Sequence, residues 1–218
     1  MAGAGSNDTA HAVRIGVGSQ AAGAQALLIN APYYNRPSQE GVYRHIMAVV
    51  EATDLPVMIY DIPGRTGVRI EDGTLARLAE HPRVLAVKDA TGDVEQGFCR
   101  MEATGLEYYS GDDGLNFAWL AHGASGMVSV VAHADAHSWR QMVTEVDAGD
   151  LAGARAVAQR MRPLVRAMMG GGQGAVMAKE ALLLQGRIPS AALRLPLVRA
   201  SQTEVEALRA TLASCGLL

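Results

Sequence analysis

Val84-Leu-Ala-Val-Lys-Asp89 decides how this chain is read: four apolar residues in a row, closed by a lysine and an aspartate. A strand with one wet face alternates apolar and polar residues, so an unbroken run marks one buried on both faces, as in a parallel sheet. Outward from it lie runs of the same kind. Val57-Met-Ile-Tyr-Asp-Ile-Pro63 and Ala26-Leu-Leu-Ile-Asn-Ala-Pro32 precede it, and Tyr108-Tyr-Ser-Gly-Asp112 and Met127-Val-Ser-Val-Val131 follow. Met1-Ala-Gly-Ala-Gly5 has the form of the tail of one more strand entering a turn.

Between the runs the period changes to that of helices. Ser38 is placed to cap a helix whose Val42, Ile46, Val49 and Val50 share a face. Asp93 is placed to cap one carrying Val94, Phe98 and Met101, and Asp135 one carrying Trp139, Met142, Val143 and Val146. Strand then helix, repeated, is the rhythm of a βα barrel or a doubly wound sheet, an α/β fold in either case. We expect the (β/α)8 TIM-barrel type. Six βα units are legible where eight would close a barrel, so the chain is expected to begin inside the third strand, with about two units missing at the N-terminus. Two glycines in the expected helix around Arg14–Gln20 weaken it, at up to about 1 kcal/mol each relative to alanine.

Past Asp150 the strand signal stops. Leu151–Met169 reads as helix interrupted at Pro163, Ala175–Gln185 as helix, and Ser201-Gln-Thr-Glu204 as a capping box before Val205, Leu208 and Leu212. The expected organisation is therefore a partial barrel over residues 1–150 and a C-terminal helical lobe over 151–218. Gly170-Gly-Gly-Gln-Gly174 lacks the GK[ST] of a phosphate loop and reads as a flexible connection.

Composition narrows the function classes. The 218 residues are 49% hydrophobic, with 19 Lys and Arg against 22 Asp and Glu, scattered in sign. No basic face suggests nucleic acid, and no apolar run approaches the roughly 20 residues that cross a bilayer. The opening residues lack a basic segment followed by an apolar one, so a cytoplasmic protein is expected. Cys99 and Cys215 stand far apart outside any CxxC pair, which favours two reduced thiols.

Active sites of βα barrels lie at the C-terminal ends of strands, so polar residues there are read first. Lys88 follows Val84–Val87, and an amine in such dry surroundings loses its proton more readily, leaving a nucleophile able to form an imine with a carbonyl. Its ordinary alternative is a lysine that ends a strand and reaches water. Tyr60 holds the equivalent place one strand earlier and is placed for proton transfer, although tyrosine is also a common strand residue. Arg65 in Gly64-Arg-Thr-Gly67 suits a substrate carboxylate, or is an exposed loop arginine. Ser110-Gly-Asp-Asp113 reads as a turn that can present a backbone N–H. His133 and His137 have the spacing of a zinc pair, but the glutamate of HExxH and a third ligand are absent, so no metal is expected.

Four segments in order, Pro32-Tyr-Tyr-Asn-Arg-Pro37, Tyr60-Asp-Ile-Pro-Gly-Arg-Thr-Gly67, Val87-Lys-Asp-Ala-Thr-Gly92 and Tyr109-Ser-Gly-Asp-Asp113, resemble the 4-hydroxy-tetrahydrodipicolinate synthases, also called dihydrodipicolinate synthases. The resemblance covers essentially the whole chain. It implies a hydro-lyase that condenses pyruvate with aspartate-4-semialdehyde on the route to diaminopimelate and lysine, with no metal or organic cofactor, as a homodimer or homotetramer. By the same resemblance Lys88 forms the imine with pyruvate, Tyr60 relays protons, and Tyr34 reaches across a dimer interface into the partner's site. Arg65 guides the semialdehyde carboxylate, and Gly111 and Val128 line the pyruvate pocket. Asn7 and Tyr33 match a lysine-inhibition site found in some members, which carry Glu four residues after the Asn where this chain has His11.

The chain departs from the family in lacking its Thr-Thr-Gly-Glu motif, which holds the pyruvate carboxylate and completes the hydroxyl relay. Two other readings stay open. Sister activities, N-acetylneuraminate lyase or a 2-keto-3-deoxy sugar-acid aldolase, share the barrel, lysine and tyrosine. A truncated, non-catalytic homologue is the other.

Overall fold

In a computed structural model, residues 1–171 and 173–218 are described. Strands and helices run β1 (Ala2–Gly3), α1 (Thr9–Ala21), β2 (Leu27–Asn30), α2 (Gln39–Glu51), β3 (Val57–Asp61), α3 (Pro63–Thr66), α4 (Asp72–Ala79), β4 (Val84–Asp89), α5 (Val94–Thr104) and β5 (Glu107–Ser110). They continue with α6 (Asn116–Ala121), β6 (Gly126–Met127), α7 (Ala136–Asp147), α8 (Leu151–Met169), α9 (Gly174–Leu184) and α10 (Gln202–Ser214). All six strands are parallel, in the order β1-β2-β3-β4-β5-β6. A doubly wound sheet reverses its strand order at a switch point; an unreversed order is that of a (β/α) barrel wall. The sheet is thus a six-stranded portion of the TIM-barrel arrangement.

The caps follow the sequence signals. Ser38 Oγ accepts from Gly41 N (3.3 Å), Asp93 Oδ1 from Gln96 N (3.2 Å) and Asp135 Oδ1 from Ser138 N (3.0 Å). Ser201 and Glu204 close a reciprocal capping box on α10.

Two compact units divide the chain: Met1–Gly111 with Ala124–Met127, and Asp112–Gly123 with Val128–Leu218. In the first, Leu27, Ile29, Val57, Ile59 and Val87 bury alternate strand positions, while Val42, Ile46, Val49, Leu75 and Leu78 bury one stripe of α2 and α4. Gly16 has a packing role in α1. A Cβ there would lie 3.1 Å from Val49 Cγ1 and 3.4 Å from Leu27 Cδ1, so the glycine lets α1 approach α2 and β2 closely, against its propensity cost. In the second unit Trp139 and Met142 of α7, and Val157, Met161, Leu164 and Met168 of α8, form the buried stripes.

Within the second unit, α7 packs on α8 across the Gly149 turn (φ 79°) and α6 packs on both. Several expectations need correction. Helix α8 runs through Pro163 without interruption. The proline forfeits one backbone bond, and burial of the stripe around it outweighs that loss of about 3 kcal/mol. Strand β6 ends at Met127, and Val131–His133 form a 3-10 turn instead of extending it. In the Gly170–Gly174 segment, Gly172 lies outside the described residues; Gly170 ends α8 and Gln173 precedes α9. Cys99 and Cys215 are free thiols. Among the described residues no helix is long and apolar enough to cross a membrane.

Candidate active site

Strand register assembles the first part of the site. Asn30, Tyr60, Lys88, Tyr109 and Gly126 are paired in turn across β2 to β6, forming one row near the C-terminal ends of the strands. Paired residues of parallel strands present side chains to the same face, and their chain neighbours to the other. Lys88 is only 9% exposed, and its Nζ stands 4.0 Å from the centroid of the Tyr60 ring. The ring offers its negative face to the cation in place of some of the water that burial removes. Burial pushes the Tyr60 phenol above its ordinary pKa, while the nearby Arg65 charge pulls it back.

Gly111 closes in from the end of β5. Its N–H donates to the Asp89 carbonyl at 2.7 Å. A Cβ on it would fall 3.0 Å from both Cγ and Cε of Lys88 and 2.9 Å from the Asp89 oxygen. Only glycine leaves the lysine side chain its present course.

The second part lies at the end of β3. Pro63 opens α3, which stops after one turn at Gly67 in the left-handed region (φ 78°), where a Cβ would also crowd Arg36 Nε at 3.1 Å. Thr66 Oγ1 donates to the carbonyls of Ile62 and Val68 (3.1 and 2.8 Å), locking the turn that carries Arg65. The Thr66 carbonyl accepts from Tyr34 N at 3.1 Å and joins this turn to the segment after β2. Tyr34 (φ 73°) and Arg36 (φ 45°) both occupy the left-handed region, which costs a non-glycine residue on the order of 1 kcal/mol or more. Tyr33, Tyr34, Arg65 and Arg36 line one groove with Pro63, Gly64, Thr66 and Gly67. Tyr34 is 86% exposed. Asn7 is tied to the same segment, its carbonyl accepting from Asn35 Nδ2 at 2.7 Å.

Val128 belongs to the second unit. Beside it, Asp113 Oδ2 accepts from Val130 N and Val131 N (2.9 and 3.1 Å), and Oδ1 from Ser129 Oγ and Asn116 Nδ2. His133 Nδ1 lies 2.8 Å from the Val130 carbonyl oxygen.

Sequence reasoning missed three features. Asn30 and Tyr109 extend the Tyr60–Lys88 row, and the signal was their place at strand ends, usable only with register in hand. Asp61 and Asp89 each directly follow a candidate catalytic residue and are buried on the opposite face. Arg100, expected on an ordinary helix, is 4% exposed and pairs with Asp61 (3.2 Å) and Asp72 (2.6 Å).

A nucleophilic amine in a partly dry site against a phenol is equipped to attack a carbonyl and pass protons. Comparison with known proteins specifies the setting. A sequence profile described as the dihydrodipicolinate synthetase family matches residues 1–215. The chain belongs to the dihydrodipicolinate synthetase family. The 4-hydroxy-tetrahydrodipicolinate synthase of Bifidobacterium longum is 47% identical over 218 residues, all of this chain and 72% of that protein. That of Kineococcus radiotolerans is 50% identical over 217 residues and 70% of its length. The crystal structure of dihydrodipicolinate synthase from Thermotoga maritima superposes with a TM-score of 0.93 at 36% identity, covering 99% of this chain and 75% of that one. The family is of the lyase type, and these relatives favour the synthase reading over the sugar-acid alternatives.

Proposed function

We propose that this protein condenses pyruvate with aspartate-4-semialdehyde to 4-hydroxy-tetrahydrodipicolinate in lysine and diaminopimelate biosynthesis. Lys88 Nζ attacks the pyruvate carbonyl, and loss of water from the carbinolamine gives the imine. Loss of a methyl proton gives the enamine, whose carbon attacks the aldehyde; the semialdehyde's own amine then adds to the imine carbon and displaces Lys88, closing the ring and freeing the lysine. Tyr60 moves the protons. Arg65 receives the semialdehyde carboxylate, and Gly111 lines the pyruvate pocket. Tyr34 serves the site of a second copy in a homodimer or homotetramer; its exposure and its held left-handed backbone support that role. Asn7 and Tyr33 are the residues through which lysine would act as an effector. Two free thiols agree with a cytoplasmic enzyme. The observation that carries the reading is the buried Lys88 amine over the Tyr60 ring at 4.0 Å.

The chain holds two lysines, Lys88 and the exposed Lys179, so the test is clean. Borohydride reduction in the presence of pyruvate should leave a covalent adduct on the Lys88 peptide, lost in Lys88→Ala. An adduct confined to Lys179, or none on folded protein, refutes the mechanism. Turnover of sialic or sugar acids without turnover of aspartate semialdehyde refutes the substrate.

A second reading has an observation of its own. Strands β1 and β6 each have one neighbour among the described residues, so the sheet is open at both edges where a barrel closes. A homologue that does not catalyse by itself would show no adduct until further polypeptide completes the wall.

A further inference from the structure

The Tyr60–Lys88 couple has a second couple directly behind it. Asp61 and Asp89, the next residues on β3 and β4, are also register partners, and strand alternation turns them to the helix-covered face. They are 2% and 1% exposed. Asp61 Oδ1 accepts from Ile70 N (3.3 Å) and Oδ2 from Arg100 Nη1 (3.2 Å). Asp89 Oδ1 accepts from the backbone N–H and hydroxyl of Thr91 (2.9 and 2.8 Å), while its buried Oδ2 has no partner among the described residues. Arg100 is fixed by Asp72 through Nε (2.6 Å) and by the Ile70 carbonyl through Nη2 (3.0 Å).

We propose that Asp61, held by Arg100 and the Ile70 N–H, and Asp89, held by Thr91, are positioning residues for the active-site couple: they fix the ends of β3 and β4 and, when both are ionised, impose a negative field on the Lys88 amine. This role rests on the assignment of Lys88 as the nucleophile.

The charge count supports it. Two buried carboxylates on adjacent strands face one buried guanidinium, so the pair holds a proton at low pH and, once both carboxylates ionise at higher pH, leaves a net negative charge in a dry layer. Burial, reinforced by Asp89, pushes Asp61 up to about 6, against the Ile70 N–H and Arg100. Burial likewise pushes Asp89 up, against its Thr91 bonds and the charges of Arg100 and Arg69. The other groups facing the pair are the exposed Asp72 at the start of α4, Tyr108 from β5, and Arg69, which pairs with Asp93 at 3.5 Å. One residue along the chain, the amine lies across a sheet whose backbone screens little, so the charge of the pair reaches it. A purely structural pair would hold the strands and leave the amine's titration alone.

Trace acetylation at a series of pH values, with peptide mass spectrometry, measures the titration of Lys88 without any substrate, using Lys179 as internal reference. Asp61→Asn and Asp89→Asn should lower the Lys88 midpoint by half a pH unit or more, raising its acetylation about threefold at a pH below the midpoint. Asp89→Glu should restore the wild-type value. Folded Asn variants with an unmoved Lys88 midpoint overturn the proposal. If the Asn variants do not fold, the wild-type protein decides: its infrared spectrum should contain a buried carboxylic acid band that disappears as pH passes about 6, and the lack of one overturns the proposal. Failure of pyruvate to trap on wild-type Lys88 would instead strike the synthase reading, and the acetylation result would stand apart from it.

Discussion

Gly111→Ala puts a methyl group where the structure has no room for one. The new carbon would stand 3.0 Å from Lys88 Cγ and Cε and 2.9 Å from the Asp89 carbonyl oxygen. Comfortable carbon contacts lie at about 3.5–4.0 Å, so each must lengthen by about half an ångström or more. The carbonyl cannot retreat without breaking its 2.7 Å bond from Gly111 N, which leaves the lysine as the yielding partner. Over-packing of this kind costs about 1–3 kcal/mol, and we expect about 2 kcal/mol here because one of the two neighbours is a flexible chain. Relief by swinging Lys88 takes the amine off the Tyr60 ring, and misplacement by about an ångström slows chemistry by one to two orders of magnitude. Urea denaturation and the rate of borohydride trapping with pyruvate measure the two effects. Gly64→Ala is the control, since a Cβ there meets nothing within 4 Å; its effect should stay within about 0.5 kcal/mol. A Gly111→Ala protein as stable as wild type, trapping pyruvate at the wild-type rate, would refute the packing argument.

Asp61→Asn should change how stability depends on pH. Asp61 binds its proton more tightly folded (about 6) than at its ordinary 3.8, so it lowers stability as pH rises from about 4 to about 6, the reverse of an ordinary ion-paired carboxylate. At 2% exposure solvent gives little screening, and the effect on the difference between wild type and variant is about 3 kcal/mol across that window; urea curves giving a constant difference would refute it. Tyr60→Phe keeps a ring beneath Lys88 but removes the proton carrier, so trapping should slow by about a hundredfold, and an unchanged rate would dismiss Tyr60 from the chemistry. Ser201→Ala removes the acceptor for Glu204 N (3.3 Å) and opens the capping box, costing about 1 kcal/mol by thermal or urea unfolding with no change in trapping.

Much of the fold was legible because the signals are local. Apolar runs marked the strands, Ser38, Asp93, Asp135 and Ser201 marked helix starts, and all four side chains cap as their sequence context indicates. Local signals failed where distant burial outweighs them. Pro163 ought to break α8, yet the stripe of Val157, Met161, Leu164 and Met168 holds the helix through it. Val128–Val131 is apolar enough for a strand, but Asp113 draws the amides of Val130 and Val131 to its carboxylate and the ladder stops at Met127.

The sequence by itself determined the strand-and-helix rhythm, the family likeness and the choice of Lys88 as the candidate nucleophile, since each depends on residue types in order along the chain. Only the tertiary structure decided which residues stand together: Tyr60 beneath Lys88, Gly111 against its side chain, and Asp61, Asp89 and Arg100 behind it. The reason is register. Pairing between strands about thirty residues apart places Tyr60 beside Lys88 and turns the aspartates after them to the other face, and the composition of neither strand encodes that alignment.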